Sequence, residues 1–323
     1  MNKIFEILNK YYGYNSFRKG QYEIISNILR GRDSFCILPT GAGKSICYQI
    51  PALMFNGITI VISPLISLMK DQVDNLNSIG INARYINSTQ KLEVSDEIIE
   101  LCKKGEVKLL YIAPEKLENE FFKRKLRLLN ISQIAIDEAH CVSMWGHDFR
   151  KSYGLIAEFI DNLRIRPVVT AFTATATEVV RKDVINLLKL RNPYIYIGSF
   201  DRENLEIKLY IEEDKLELVK DIIREREGEA GIIYCATRKE VDGLYYYLKD
   251  LGYDVLKYHG GLKDSEKEFY QDEFLNENSN VMIATNAFGM GIDKSNIRYI
   301  IHFTIPKNIE SYYQEIGRAG RDG

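Results

Sequence analysis

The sequence predicts an α/β fold built twice over: two tandem domains, each a mostly parallel sheet flanked by helices. Short β-branched runs alternate with longer helical patterns along the whole chain. The strand-sized runs are almost continuously apolar, as strands covered on both faces must be. The alternation then restarts after a polar interval at Gly198–Asn204, which places a domain boundary there, giving 1–199 and 200–323. A chain of 323 residues is long enough for two such cores.

In the first half, strands are expected at Ser34–Leu38, Ile58–Ser63, Ala83–Ile86, Lys108–Ile112, Ile131–Asp137 and Val168–Phe172. Helices are expected at Lys44–Met54, Leu65–Ile79, Val94–Lys104 and Glu178–Leu188. The second half reads as a strand at Leu205–Ile211, a helix at Lys215–Glu225 and a buried strand at Ala230–Cys235. Further helices follow at Glu240–Lys249 and Ser265–Phe274 and from Ile309, with strands at Val255–Tyr258, Val281–Ala284 and Ile297–Phe303.

Composition narrows the function classes. Hydrophobic residues at 46% and charged residues at 27% are ordinary for a folded chain. The longest apolar runs, Gly57–Ile62 and Ile131–Ile136, are too short to span a bilayer. Glu6 and Lys10 interrupt the N-terminal segment, so no signal-peptide pattern is present and a cytoplasmic protein is expected. Cys36, Cys47, Cys102, Cys141 and Cys235 are scattered, without the paired spacing of a zinc site. The net charge of −2 supplies no bulk attraction to nucleic acid, so any such binding must be local.

Thr40-Gly41-Ala42-Gly43-Lys44-Ser45 lies between a strand and a helix, the setting a phosphate loop requires. Glycines let backbone N–H groups close around phosphate oxygens, and the helix N-terminus adds positive potential. Lys44 then reaches the β- and γ-phosphates of ATP, and the Ser45 hydroxyl ligates Mg²⁺. Leu38 stands where the common pattern opens with glycine. Asp137-Glu138-Ala139-His140 follows an apolar strand, placing Asp137 to hold Mg²⁺ and Glu138 to activate the attacking water. Acidic residues also favour helix starts, and the upstream phosphate loop decides for chemistry. His140 reads either as a coupling residue or as a packed histidine.

These residues resemble superfamily-2 helicases, and more narrowly RecQ-type DNA helicases, in ordered segments from Tyr14 to Gly323. The resemblance implies RecA-like domains with the nucleotide cleft between them. In Tyr14-Asn15-Ser16-Phe17-Arg18-Lys19-Gly20-Gln21 it assigns the adenine edge to Gln21, stacking to Tyr14 and pocket support to Arg18. Cys141–Arg150 resembles the aromatic-rich loop that senses single-stranded DNA, with Trp145, His147, Phe149 and Arg150 as contacts. Met144 replaces the glutamine expected there, and a core position stays open for Phe149.

Phe172–Thr177 resembles the motor-coupling segment through Thr173 and Thr175, while Thr177 suits a helix cap. Ser63-Pro64-Leu65 and Asn87-Ser88-Thr89 match segments that touch the strand backbone. Ala284–Asp293 matches the segment linking DNA to nucleotide. Gln314–Arg321 matches the final motif, with Arg321 as the arginine finger, Arg318 as its partner on one helical face, and Gln314 beside them. Arginines favouring a helix C-terminus are the plainer reading of that segment.

The resemblance therefore implies a monomeric motor using ATP and Mg²⁺, moving 3′ to 5′ on single-stranded or forked DNA in repair or recombination. It also implies a nucleoid-associated location if the source is bacterial. Relatives continue beyond the segment matching Gly323 with a last strand, a four-cysteine zinc module and a winged helix. The chain is accordingly expected to be the motor core alone. An RNA-directed ATPase and a binding module without unwinding activity are the alternatives.

Overall fold

The computed structural model describes residues 3–87, 90–146, 148–199, 201–211, 214–288 and 294–321. Ser88, Thr89, His147 and the Gly289–Asp293 part of the linking segment lie outside them. The chain divides into two compact units, Met1–Phe200 and Asp201–Gly323.

The first unit carries strands β1 (Ser34–Ile37), β2 (Ile58–Ile62), β3 (Ala83–Ile86), β4 (Leu109–Ile112), β5 (Ile131–Ile136), β6 (Val168–Thr173) and β7 (Tyr194–Ile197). They form one sheet in the order β3-β4-β2-β5-β6-β1-β7, every neighbouring pair parallel. The apolar runs are continuous because both faces are buried. Ile60 and Ile62 of β2 join one cluster with helices Leu92–Lys103, Leu155–Asp161 and Glu178–Leu187. Between them, Val61 points to the opposite cluster with Gln21–Leu29, Lys44–Met54 and Ile66–Ser78. The alternation follows from the two-residue side-chain period of a strand.

Since all pairings are parallel, the C-terminal ends of the strands share one edge, where open α/β sheets bind ligands. β1 leads there into the phosphate loop, β2 into Ser63, β3 into Asn87, β5 into Asp137, and β6 ends on Thr173. At the opposite edge, buried Asp33 accepts from both terminal nitrogens of Arg166 (3.0 and 2.6 Å) and from the backbone N–H groups of Val169 and Arg191. One carboxylate thus ties together the chain entering β1 and β6 and the segment before β7.

The second unit holds β8 (Ala230–Tyr234), β9 (Val255–Tyr258), β10 (Val281–Ala284) and β11 (Ile297–His302), ordered β11-β8-β10-β9 and again parallel. Ile233 and Ile283 pack with helices Lys215–Glu225 and Arg238–Asp250 on one face. Tyr234, Met282 and Ala284 pack with Phe274 and Phe288 on the other. A reciprocal capping box between Thr237 and Glu240 starts the helix Arg238–Asp250.

The expected strand at Leu205–Ile211 is not formed. The alternation is real, but a strand exists only with a hydrogen-bonding neighbour, and neither edge strand, β9 nor β11, pairs with it. From Ile207 onward its apolar side chains face outward, Ile211 being 91% exposed, while Leu205 packs half-buried against the core of the second unit. The expectation of Arg318 and Arg321 on one helical face is also corrected. The helix Ile309–Ile316 stops before them, and Gly320 takes a left-handed φ of 58°, so both arginines sit in the turn beyond.

Candidate functional site

The phosphate loop owes its shape to two glycines. Gly41 (φ 81°) and Gly43 (φ 76°) adopt backbone conformations that side chains disfavour, and Gly43 caps the helix opening with Lys44 and Ser45. A Cβ on Gly43 would lie 2.4 Å from the Gln21 amide nitrogen. Leu38, in the place of the customary glycine, is buried and donates its N–H to the Thr173 carbonyl at 3.0 Å. It is therefore tied to the end of β6 just past β1, with no special φ to satisfy.

Lys44 Nζ lies 3.7 Å from Glu138 Oε1. Glu138 itself is left-handed (φ 46°, ψ 48°), uncommon for a residue with a Cβ and costing on the order of 1–3 kcal/mol. Its N–H donates to Asp137 Oδ1 at 3.0 Å. Enclosure, then the neighbouring Glu138 charge, push the Asp137 carboxyl up to about 6, against the pull of Lys44 and the Glu138 N–H. A carboxylate held at such cost is suited to a cation, and with the Ser45 hydroxyl it offers the hard oxygen ligands that Mg²⁺ takes. The residues present therefore fit a nucleotide–Mg²⁺ group. When bound, it would supply the phosphoryl group and neutralise its charge.

His140 is buried, and its Nδ1 lies 2.9 Å from Thr173 Oγ1 and 3.3 Å from Glu138 Oε2. Thr173 Oγ1 donates onward to the Thr175 carbonyl at 2.9 Å, so it accepts from His140, which assigns the proton to Nδ1. The histidine is both packed and bridging: it joins the acidic box to Thr173 at the end of β6. Thr175 is buried, and Thr177 caps its helix by accepting from Val180 N.

Gln21 is buried between two segments. Its Oε1 accepts from Arg18 N at 2.9 Å, and its Nε2 donates to the carbonyls of Ala42 and Gly43, both at 3.1 Å. Arg18 also bonds the Gly41 carbonyl, while Tyr14 is exposed. The structure thus brings Arg18, Gln21, the phosphate loop, Asp137, Glu138, His140 and Thr173 to one sheet edge. Trp145 is 76% and Phe149 45% exposed, which removes both from the core. Arg150 donates to the Pro64 carbonyl at 2.9 Å and pairs with Asp148. Ser63 is buried, and Asn87 exchanges bonds with Gln90 across its own turn.

In the second unit, Tyr234 donates to the Phe288 carbonyl at 3.2 Å, and buried Arg318, then Arg321, lie near enough to oppose the upward push of burial on that phenol. Glu315 meets His302 at 2.9 Å, and Gln314 precedes it on the half-buried face of the final helix. The carbonyls of Ala319 and Gly320 accept from Arg202 at 3.0 and 2.9 Å, fixing the turn that presents both arginines.

Sequence reasoning missed several supporting residues. Buried Gln49 links Tyr12 (3.0 Å), Gln72 (3.0 Å) and Tyr111 (3.2 Å) beneath the loop helix. Tyr196 donates to the Lys19 carbonyl and fills the space over Gly20. Tyr153 donates to the Asp137 carbonyl. Their signal in the sequence was only a polar or phenolic residue inside an apolar pattern, which no spacing distinguishes from a surface position.

Comparison with known proteins bears on the family. The DEAD/DEAH box helicase family matches residues 18–183, and the helicase conserved C-terminal domain matches residues 214–323. The ATP-dependent DNA helicase RecQ of Bacillus subtilis is 52% identical over 98% of this chain and 54% of its own length. RecQ of Pasteurella multocida is 46% identical over 98% and 50%, and the helicase wrn-1 of Caenorhabditis elegans 43% over 98% and 31%. The chain thus spans about half the length of the bacterial relatives it matches.

Among solved structures, the helicase MrfA bound to DNA and AMPPNP superposes with a TM-score of 0.80 at 19% identity, over 100% of this chain and 49% of that one. S. cerevisiae Dbp5 bound to RNA and ADP BeF3 gives 0.76 at 20%, over 98% and 84%. At such identities these two show the fold alone. The two matched domains and the identity to RecQ proteins settle the family: the chain belongs to the DEAD/DEAH-box helicases and carries a helicase core of the RecQ type.

Proposed function

We propose that this chain is the ATP-hydrolysing motor of a 3′–5′ DNA helicase, acting as a monomer in the cytoplasm, or on the nucleoid of a bacterial cell. The observation that supports it most is the pairing of Lys44 with a left-handed Glu138 beside a half-enclosed Asp137. Lys44 and the loop N–H groups bind the phosphates of ATP, Ser45 and Asp137 hold Mg²⁺, and Gln21, Arg18 and Tyr14 select adenine. Glu138 orients the attacking water and takes its proton. Positive charge from Arg321, supported by Arg318 and Gln314, stabilises the transferring phosphoryl group.

His140, Thr173 and Thr175 relay the state of the site along the strand ends. Trp145, Phe149, Arg150 and His147 grip single-stranded or forked DNA, with Ser63 and Asn87 on its backbone. Lys44→Ala removes the phosphate-binding cation and is expected to abolish hydrolysis stimulated by single-stranded DNA. A parent chain whose ATP hydrolysis does not respond to single-stranded DNA would exclude the motor reading.

A further inference from the structure

The strain at Glu138 needs a cause that holds it. The peptide between Asp137 and Glu138 is gripped from both sides. On one side its N–H donates to Asp137 Oδ1 at 3.0 Å. On the other its carbonyl accepts from the Tyr153 hydroxyl at 3.0 Å. Turning that peptide would carry Glu138 out of the left-handed region and swing its carboxylate away from Lys44. Burial keeps the Tyr153 phenol protonated, so it remains a donor throughout the working pH range.

A closed hydrogen-bonded circuit surrounds this peptide. Cys141 N donates to the Glu138 carbonyl at 2.9 Å, Arg150 N to the Cys141 carbonyl at 2.9 Å, and Tyr153 N to the Arg150 carbonyl at 3.0 Å. Tyr153 Oη then returns to the Asp137 carbonyl. The exposed segment carrying Met144, Trp145 and Phe149 is the excursion between Cys141 and Arg150. A displacement of that loop therefore reaches Tyr153 through one turn, Lys151–Gly154, and reaches Glu138 through one hydroxyl.

We propose that Tyr153 is a positioning residue for ATP hydrolysis: by holding the Asp137 carbonyl it keeps Glu138 left-handed and aimed at the attacking water. The inference rests on the reading of Glu138 given above. Tyr153 touches no reacting group and acts through the backbone of its neighbours.

Tyr153→Phe in the full chain removes the hydroxyl and keeps the ring. It is expected to lower kcat for DNA-stimulated hydrolysis roughly five- to tenfold, the effect of one lost uncharged hydrogen bond, with KM for ATP changing less than twofold. Affinity for ADP with aluminium fluoride should fall by the same factor and affinity for ADP should hold, a split that simple loss of folded protein does not produce. An unchanged kcat, or equal loss of both affinities, would overturn the proposal. In the parent chain the Glu138 amide should exchange with deuterium as slowly as that of Ala135 in β5. Rapid exchange at Glu138 alone would overturn it too, even if the Phe variant failed to fold. A parent that hydrolyses no ATP would sink the motor reading, and amide exchange would still test the peptide clamp by itself.

Discussion

At the scale of single residues, the site works by opposing charges that the sheet edge forces together. Asp137 sits against Glu138, and only Lys44 and one N–H offset the crowding that lifts its carboxyl to about 6. The sign follows directly: an acid raised above its ordinary value becomes neutral sooner as pH falls, and a neutral carboxyl holds Mg²⁺ poorly. We predict that kcat/KM for ATP, which reports the free chain, falls about tenfold per pH unit below about 6. A pH–rate profile flat down to pH 5 would contradict this. That Lys44, Asp137 and Glu138 would meet at one sheet edge was legible in the sequence, because glycine spacing and a strand-terminal acid pair each have a stated chemical reason. Tyr153 and Gln49 were not, because a buried hydrogen bond leaves no periodic trace.

Elements explain which expectations held. The apolar runs of β2 and β5 declared themselves because both faces are covered. β7 escaped notice: its four residues alternate between half-buried and exposed at a sheet edge, between Pro193 and Gly198. Leu205–Ile211 shows the reverse error, an alternating segment without a ladder. The helix Ile309–Ile316 ends early because Gly320 turns left-handed and its N–H is held by the Ile297 carbonyl at 2.9 Å.

Asp33→Ala leaves Arg166 without its carboxylate at the base of three strands, and should destabilise the first unit by about 3–5 kcal/mol in chemical denaturation. A loss below about 1 kcal/mol would show that the clamp is dispensable. Trp145→Ala removes the most exposed ring of the aromatic loop. It should raise the DNA concentration for half-maximal stimulation about five- to hundredfold, the value of one stacked base. An unaltered concentration dependence would remove Trp145 from the DNA site.

On the scale of the whole molecule, a net charge of −2 means that any nucleic acid must be held by placed contacts, without help from a global field. Stimulation should accordingly persist to moderate salt and weaken with the few phosphates engaged. In the second unit, Arg318 and Arg321 sit in a turn braced by Arg202. Arg321→Ala should lower kcat on the order of 10³-fold, as loss of an arginine finger does, with nucleotide binding retained. A kcat within threefold of the parent would assign the charge to another residue. The duplicated α/β plan and the ordered motifs were readable from sequence because each half repeats the same strand–helix alternation. The choice of polymer was readable only through the resemblance of the Tyr14–Gln21 and Cys141–Arg150 segments to RecQ-type DNA helicases, since stacking rings and backbone contacts by themselves suit either nucleic acid.

Under the proposed function, nucleotide chemistry in the first unit answers to single-stranded DNA. That dependence is tested most directly by the steady-state ATP hydrolysis rate of this chain with saturating single-stranded DNA, with single-stranded RNA of the same sequence, and with neither. Strong stimulation by the DNA and little by the RNA are expected, with Lys44→Ala inactive under all three conditions. Equal or greater stimulation by RNA, or none by DNA, would contradict that reading.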